Sequence, residues 1–386
     1  MKNIQLFVPK FRKEEILEEI SECLDKGWTG LGFKTIKIED EWKKYTSLPY
    51  SHFINSNTSG LHLSIKILKD VNKWKDDDEI ITTPLTFVST NHAIMYSNMK
   101  PIFADIDEYL CLDPKSVESK ITKKTKAVLF VGIGGNTGQY NEIVKLCKKY
   151  KLKLILDAAH MAGTFIVCPI TNQIKHVGHD ADVTIFSFQS VKNLPTADSG
   201  MICFNNEDYD AIARKLSWLG INKDTYQRSN DKGSYKWEYD LVDVGFKYHG
   251  NSIMASMAIV GLKYLEEDNK RRREISEKYE KELTKHNIKT IKLHEDCKIP
   301  SRHLFQIVVE ERNKFMDLLN SNGVYPGVHY RDNTNYTMYE YGKNNCPYSN
   351  DISEKLISLP LHINLSDDDV DYVIEQVIKI NNTLAN

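Results

Sequence analysis

Between residues 52 and 204 the chain alternates two kinds of segment. Short apolar and β-branched runs, His52–Asn55, Glu79–Thr82, Pro101–Ala104, Ala127–Val131, Lys153–Leu156, Val183–Phe188 and Met201–Phe204, are separated by stretches with apolar residues at helical spacing, such as Gly60–Lys69 and Asn141–Tyr150. Several runs are continuously apolar instead of alternating in and out, which is the pattern of strands covered on both faces. The alternation therefore predicts an α/β domain: a mainly parallel, mixed seven-stranded sheet sandwiched by helices. Ligands of such sheets gather at the carboxyl ends of the strands, so the residues just after each run deserve the closest reading.

Beyond residue 205 the pattern changes. Asp224–Asp240 reads as a charged loop, Asn251–His286 as one long helix, Leu304–Val309 as a strand and Arg312–Asn320 as a helix. Ser366–Ile380 reads as a final helix, capped by Ser366 with three Asp residues in its first turn. This predicts a smaller α+β unit. We set the domains at 1–260, a large domain with an N-terminal helical arm around Glu14–Asp25, and 261–386. A chain of 386 residues exceeds the ~250–300 at which a single core stops growing, which agrees with two units.

Charge narrows the function. The 51 Lys and Arg residues against 53 Asp and Glu give a formal net charge of −2, so there is no broad basic footprint for nucleic acid. The longest nearly apolar runs, Ala127–Val131 and Ile253–Leu262, fall far short of the ~20 residues that span a bilayer, and the first residues lack the apolar stretch of a secretory signal. A cytoplasmic protein without membrane or nucleic-acid partners is expected. The seven cysteines form no CxxC pair and read as unpaired thiols of a reducing compartment. No metal is expected, because His303, His329 and His362 are scattered and no HExxH or Cys/His cluster occurs.

Four segments after strands have compositions that packing alone does not demand. In Ile54-Asn55-Ser56-Asn57-Thr58-Ser59-Gly60-Leu61 a strand gives way to small hydroxyl and amide residues opening a helix, which is either an ordinary N-cap or a phosphate site. In Lys153 to His160, Asp157 ends an apolar strand and is followed by two alanines; a carboxylate there wants a cationic partner. In Val183 to Leu194, Lys192 closely follows a buried strand, and desolvation there would expose a neutral, nucleophilic amine. In Thr82 to Thr90, Phe87 stands among hydroxyl residues and is either core or a cover for a flat ring. Lysine, carboxylate, phosphate cradle and aromatic together match what pyridoxal phosphate requires. A competing signal is Val131-Gly132-Ile133-Gly134-Gly135-Asn136-Thr137-Gly138, which imitates a dinucleotide fingerprint with Asp157 about twenty residues on. Thr137 occupies its third glycine position, so the pattern is imperfect.

With Gly27-Trp28-Thr29-Gly30, Pro101 to Asp107, Gly245-Phe246-Lys247-Tyr248, Arg271-Arg272-Arg273, Gly327-Val328-His329-Tyr330 and Leu359-Pro360-Leu361, these segments follow an order that resembles the DegT family (DegT/DnrJ/StrS) of sugar aminotransferases. Those are pyridoxal-phosphate enzymes of fold type I, the aspartate-aminotransferase fold. The resemblance implies that Lys192 is the catalytic residue and holds the cofactor covalently. It implies that Asp157 pairs with the pyridine nitrogen, Phe87 stacks on the ring, and His160 lies near the ring's other face or its hydroxyl. Thr58, Ser59 and Ser187 would bind the phosphate, and Lys247 would reach it from the neighbouring subunit of a homodimer with shared active sites. Trp28, His329 and Arg331 would face substrate. The donor implied is L-glutamate, and the acceptor a nucleotide-linked 3- or 4-keto-deoxy sugar in surface polysaccharide or glycan biosynthesis.

The chain departs from the family pattern where Ala197-Asp198-Ser199-Gly200 replaces a Gly-Glu-Gly-Gly-like run and Tyr330-Arg331-Asp332-Asn333 a more apolar stretch. The altered rim keeps a smaller phosphorylated ketone open as acceptor. A non-catalytic regulatory protein on the same fold, and an NAD(P)-dependent oxidoreductase using the Gly132–Gly138 loop, are the alternatives of another class.

Overall fold

In the computed structural model, which describes residues 2–168, 171–222, 239–241 and 243–385, all seven apolar runs are strands of one sheet. In chain order the strands of the first half are β1 (Tyr50–Ile54), β2 (Glu79–Thr82), β3 (Lys100–Phe103), β4 (Thr125–Val131), β5 (Lys153–Asp157), β6 (Phe165–Val167), β7 (Ile174–His176), β8 (Val183–Ser187) and β9 (Gly200–Phe204). The large sheet runs β1-β9-β8-β5-β4-β2-β3. Its pairs from β8 to β3 are parallel, and β9 lies antiparallel to both neighbours.

Two cores explain why these strands read as continuously apolar. Val128, Phe130, Leu154, Leu156 and Phe186 pack on one face. Ala127, Leu129, Ile155, Val183 and Ile185, their alternate neighbours, pack on the other. Under β1 a buried polar cluster ties strand to helices: Glu39 accepts from the Phe53 N–H at 2.8 Å and from Arg214 at 2.9 Å, and lies 3.0 Å from His52 Nδ1.

A third core belongs to the C-terminal unit. It gathers Ile275, Tyr279 and Leu283 with Phe305, Ile307, Ile357 and Leu359, beneath Val370, Val373 and Val377 of the last helix, Asp367–Ala385. Those strands are β12 (Phe305–Val308) and β13 (Leu356–Leu359); β12 pairs with β13 on one side and with β10 (Lys289–Thr290) on the other, while β11 (Cys297–Ile299) pairs with β6. The long helix, Ser252–Lys285, joins the units: Ala255, Ala258, Ile259 and Leu265 serve the sheet core, and Ile275 onward serves the third. The change of core falls between Leu265 and Ile275. The extreme N-terminus joins the C-terminal unit, since Ile4 is in its core and bridges Val324. Helix Lys13–Asp25 instead lies against the long helix, with Glu15 bonded to Lys263 at 3.2 Å.

The loop expected over Asp224–Asp240 lies outside the described residues except for Tyr239 and Asp240. All seven cysteines are buried and unpaired. Among the described residues no helix is long and apolar enough to cross a membrane, and no cluster of His, Cys, Asp or Glu suits a metal.

Candidate active site

The register brings Val131, Asp157 and Ile185 side by side, so the residues that follow β4, β5 and β8 converge at one edge of the sheet. There a cavity of about 410 Å³ opens, lined by Asn57, Thr58, Phe87, Thr90, Asp157, His160, Ser187, Lys192, His329 and Tyr330 among others. Ligand sites of parallel sheets lie at this edge.

Asp157 is 3% exposed, yet among the described residues it has no ion-pair partner. Its Oδ2 accepts from Thr90 Oγ1 at 2.8 Å, and its Oδ1 from Asn57 Nδ2 at 3.3 Å and the Ala159 N–H at 3.2 Å. Burial pushes this carboxyl above its ordinary range against those three bonds. It is a desolvated acceptor with no cation in ion-pair contact, which Lys192 reaches only through space. Lys192 is perturbed in the complementary direction: burial brings its amine down to about 8, against the pull of Asp157. Phe87 precedes helix Val88–Tyr96 and is 59% exposed, an aromatic face turned to the cavity instead of the core.

Helix Asn57–Val71 begins at the cavity, and its cap separates two residues that the sequence treats alike. Ser56 Oγ accepts from the Ser59 N–H at 3.1 Å, while the Ser59 hydroxyl donates back to Ser56 O at 2.8 Å. Ser59 is thereby consumed in the capping turn and does not line the cavity, whereas Thr58 and Ser187 do. The structure thus places the Ser59 hydroxyl in the capping turn and Thr58 and Ser187 at the cavity wall.

The glycine-rich loop has a different task from the one its spacing imitates. It is buried throughout residues 131–138 and covered by the C-terminal unit. Gly134, at φ +63°, donates its N–H to His160 Nδ1 at 3.0 Å, and its carbonyl accepts from the His303 N–H at 3.0 Å. A Cβ on Gly135, at φ +87°, would meet Ser301 Oγ at 2.3 Å. Gly134 and Gly135 let residues 301–304 approach, while Gly132 faces Met161 and Gly138 faces Cys111, so the buried loop leaves a dinucleotide phosphate no access. Because Nδ1 of His160 accepts, its proton sits on Nε2, which donates to Tyr330 Oη at 3.1 Å. Burial, with Lys192 and His329 adding to it, keeps this imidazole neutral.

Three expected residues stand apart from the cavity in this chain. Lys247 is exposed, with its amine 3.4 Å from the Trp218 ring centroid. Trp28 donates to Leu31 O at 2.7 Å, and exposed Arg331 lies over the Tyr336 ring. His329 does line the cavity, its Nδ1 3.0 Å from Ser358 Oγ. Conversely, Asn57, Thr90, Tyr330 and His303 escaped selection. Thr90 and Asn57 lay inside segments already singled out, and their amide and hydroxyl beside a strand-end carboxylate were the available signal. His303, with Nε2 3.4 Å from Lys192 Nζ, had none: it comes from the C-terminal unit, over a hundred residues away.

The model of the DegT/DnrJ/EryC1/StrS aminotransferase family matches residues 10–378. The chain belongs to that family. MJ1066 of Methanocaldococcus jannaschii, itself uncharacterized, is 34% identical to this aminotransferase over 97% of each chain. The spore coat polysaccharide biosynthesis protein SpsC of Bacillus subtilis is 32% identical over 96% of this chain and 95% of its own. Among solved structures, Spr1654 of Streptococcus pneumoniae in its PMP form superposes with TM-score 0.90 at 27% identity, over 99% of this chain and 100% of that one. The aminotransferase TlmJ of Streptoalloteichus hindustanus gives 0.89 at 27% identity over the same shares. Spr1654 is known in a PLP form as well. The cofactor of this aminotransferase is pyridoxal phosphate, and the residues present fit it. Asp157, buried without an ion-pair contact, suits a protonated ring nitrogen, the exposed Phe87 suits a ring face, and the depressed Lys192 suits a carbonyl.

Proposed function

We propose that this aminotransferase moves the amino group of L-glutamate onto a keto sugar, most simply a nucleotide-linked 3- or 4-keto-deoxy sugar, in the making of a surface polysaccharide or glycan. The observation that carries the reading is the pairing of a burial-depressed Lys192 with a buried Asp157 that has no ion-pair contact, both lining one cavity. The likeness to SpsC, a polysaccharide biosynthesis protein, supports the sugar.

Pyridoxal phosphate, when bound, supplies a ring that takes up charge from a carbon losing its proton. Asp157 would hold the ring nitrogen, Phe87 one ring face, and Thr58 and Ser187 the phosphate. Lys192 would attach the cofactor, and its neutral amine would move the proton at the reacting carbon. That service is worth on the order of 10²–10⁴-fold. His160, neutral and clamped between the Gly134 N–H and Tyr330, presents a fixed ring beside Lys192. Lys247, outside its own chain's cavity and partly desolvated against Trp218, suits a phosphate of a second subunit in a homodimer. The seven unpaired thiols support a cytoplasmic setting.

The test is 2-oxoglutarate formation from glutamate with a panel of nucleotide keto sugars and of small phosphorylated ketones. Turnover with a keto sugar, lost in Lys192→Ala, is expected. Turnover with the small ketones alone, or unimpaired turnover in Lys192→Ala, refutes the reading.

A further inference from the structure

Lys192 is served by a histidine whose tautomer the structure fixes. The amide nitrogen of Asn193 donates to Ser301 O at 2.7 Å and to Asn269 Oδ1 at 2.6 Å. The carbonyl can only accept, so the Asn193 amide cannot be turned over. Asn269 is held in turn, its nitrogen donating to Ala162 O at 2.9 Å. The Asn193 oxygen therefore faces His303 Nδ1 at 3.0 Å, and His303 carries its proton on Nδ1. That leaves a lone pair on Nε2, aimed at Lys192 Nζ at 3.4 Å.

The ring is also held in place. Phe7 of the N-terminal segment stacks on it at 5.3 Å and 8°, the tilted His160 ring lies 4.4 Å away, and His303 is 1% exposed. Burial first, then the nearby charge of Lys192, keeps it neutral.

We propose that His303 is a positioning residue for the Lys192 amine: its fixed Nε2 accepts one amine hydrogen and so directs the amine's own lone pair into the cavity. A neutral primary amine has two hydrogens and one lone pair. With one hydrogen held behind it, the lone pair is confined to the side where Asp157 and the cofactor's ring belong. The N-terminal segment and the C-terminal unit thus reach the chemistry without touching substrate. The proposal rests on Lys192 being the reacting amine, but it concerns the amine itself and is read without turnover.

The experiment follows Lys192 in cofactor-free protein by reductive methylation with formaldehyde and cyanoborohydride from pH 6 to 10, quantified by peptide mass spectrometry. The titratable groups facing this amine are Asp157, His160, His303, His329 and Tyr330, with Asp198 at the cavity wall and Arg272 behind His303. His303→Asn keeps a donor toward Asn193 and offers nothing to Lys192. Losing an acceptor disfavours the ammonium, so the labelling midpoint of Lys192 should fall by about one pH unit. Borohydride-trappable capture of pyridoxal phosphate should slow by about tenfold. His303→Gln, whose amide oxygen reaches the place of Nε2, should return the midpoint most of the way. An unshifted midpoint in His303→Asn, or an equal shift in both variants, overturns the proposal. A measurement on the unaltered protein stands beside these: with ¹⁵N-histidine, Nε2 of His303 should resonate as an unprotonated nitrogen, and a protonated Nε2 overturns the proposal. Loss of turnover with a normal Lys192 midpoint would count against the aminotransferase substrates and leave His303 unaffected.

Discussion

Replacing Lys192 by methionine should stabilise the cofactor-free protein while abolishing its activity. The amine is partly buried, and burial brings it from 10.5 in the unfolded chain to about 8 in the fold. At about 1.4 kcal/mol per pH unit, that depression corresponds to about 3 kcal/mol against the charged form. Part of this is screened where the side chain opens onto the cavity, so a gain of roughly 1–2 kcal/mol at pH 7 is expected. Methionine is of similar length and carries no charge. The sign is checked by pH: below about 8 both folded and unfolded lysine are protonated, and the penalty is whole. As pH rises toward 10.5 the folded amine is already neutral, and the penalty fades. The three histidines around Lys192 are all depressed, so they stay neutral across this window and do not confuse it. Urea unfolding of apoprotein, followed by circular dichroism at pH 7 and pH 10.5, reads the difference. A variant no more stable than wild type at pH 7, or a gain that does not shrink with pH, would refute the account of Lys192 as a desolvated amine.

Gly135→Ala puts a Cβ at φ +87° against Ser301 Oγ, Arg302 N and His160 O, and should cost about 1–3 kcal/mol in thermal or urea unfolding together with weaker cofactor loading. A neutral effect on both would mean that the glycine loop does not hold the units together. Glu39→Gln removes a buried carboxylate that burial pushes up and that Arg214, His52 and the Phe53 N–H hold below its ordinary range. It should cost roughly 2–3 kcal/mol, less than for a fully buried pair because Arg214 is partly exposed and keeps Asp210. Wild-type Glu39 contributes above its unfolded value near 4.5, and that contribution is lost as pH falls through the depressed folded value. The gap to Glu39→Gln should therefore close in acid.

The sheet was legible because each strand is buried on both faces, which leaves a mark in every residue of it: Val128 and Leu129 are both apolar although they point to opposite cores. Asp157 and Lys192 were legible because charged residues at the ends of such strands break that mark. Ser59 was not separable from Thr58, since a capping hydroxyl and a ligand-facing one are the same chemistry, told apart only by what Ser56 bonds. Trp28, Lys247 and Arg331 came from the family likeness alone, and one chain places none of them at the cavity.

What remained hidden shares one physical cause. A sequence shows which positions permit an unusual backbone, but not what approaches them, and the loop Gly132–Gly138 suits equally a phosphate or another stretch of protein. Here the approaching group is residues 301–304, and their arrival builds the site. Gly134 alone sets the proton on His160 through its N–H and holds the His303 backbone through its carbonyl. The sheet domain supplies the groups that react, and the C-terminal unit supplies the partner proposed to aim one of them. A loop that closed on a dinucleotide would leave Gly134 O free and His303 unheld. The same seven residues can thus distinguish two kinds of enzyme only through contacts made more than 150 residues later in the chain.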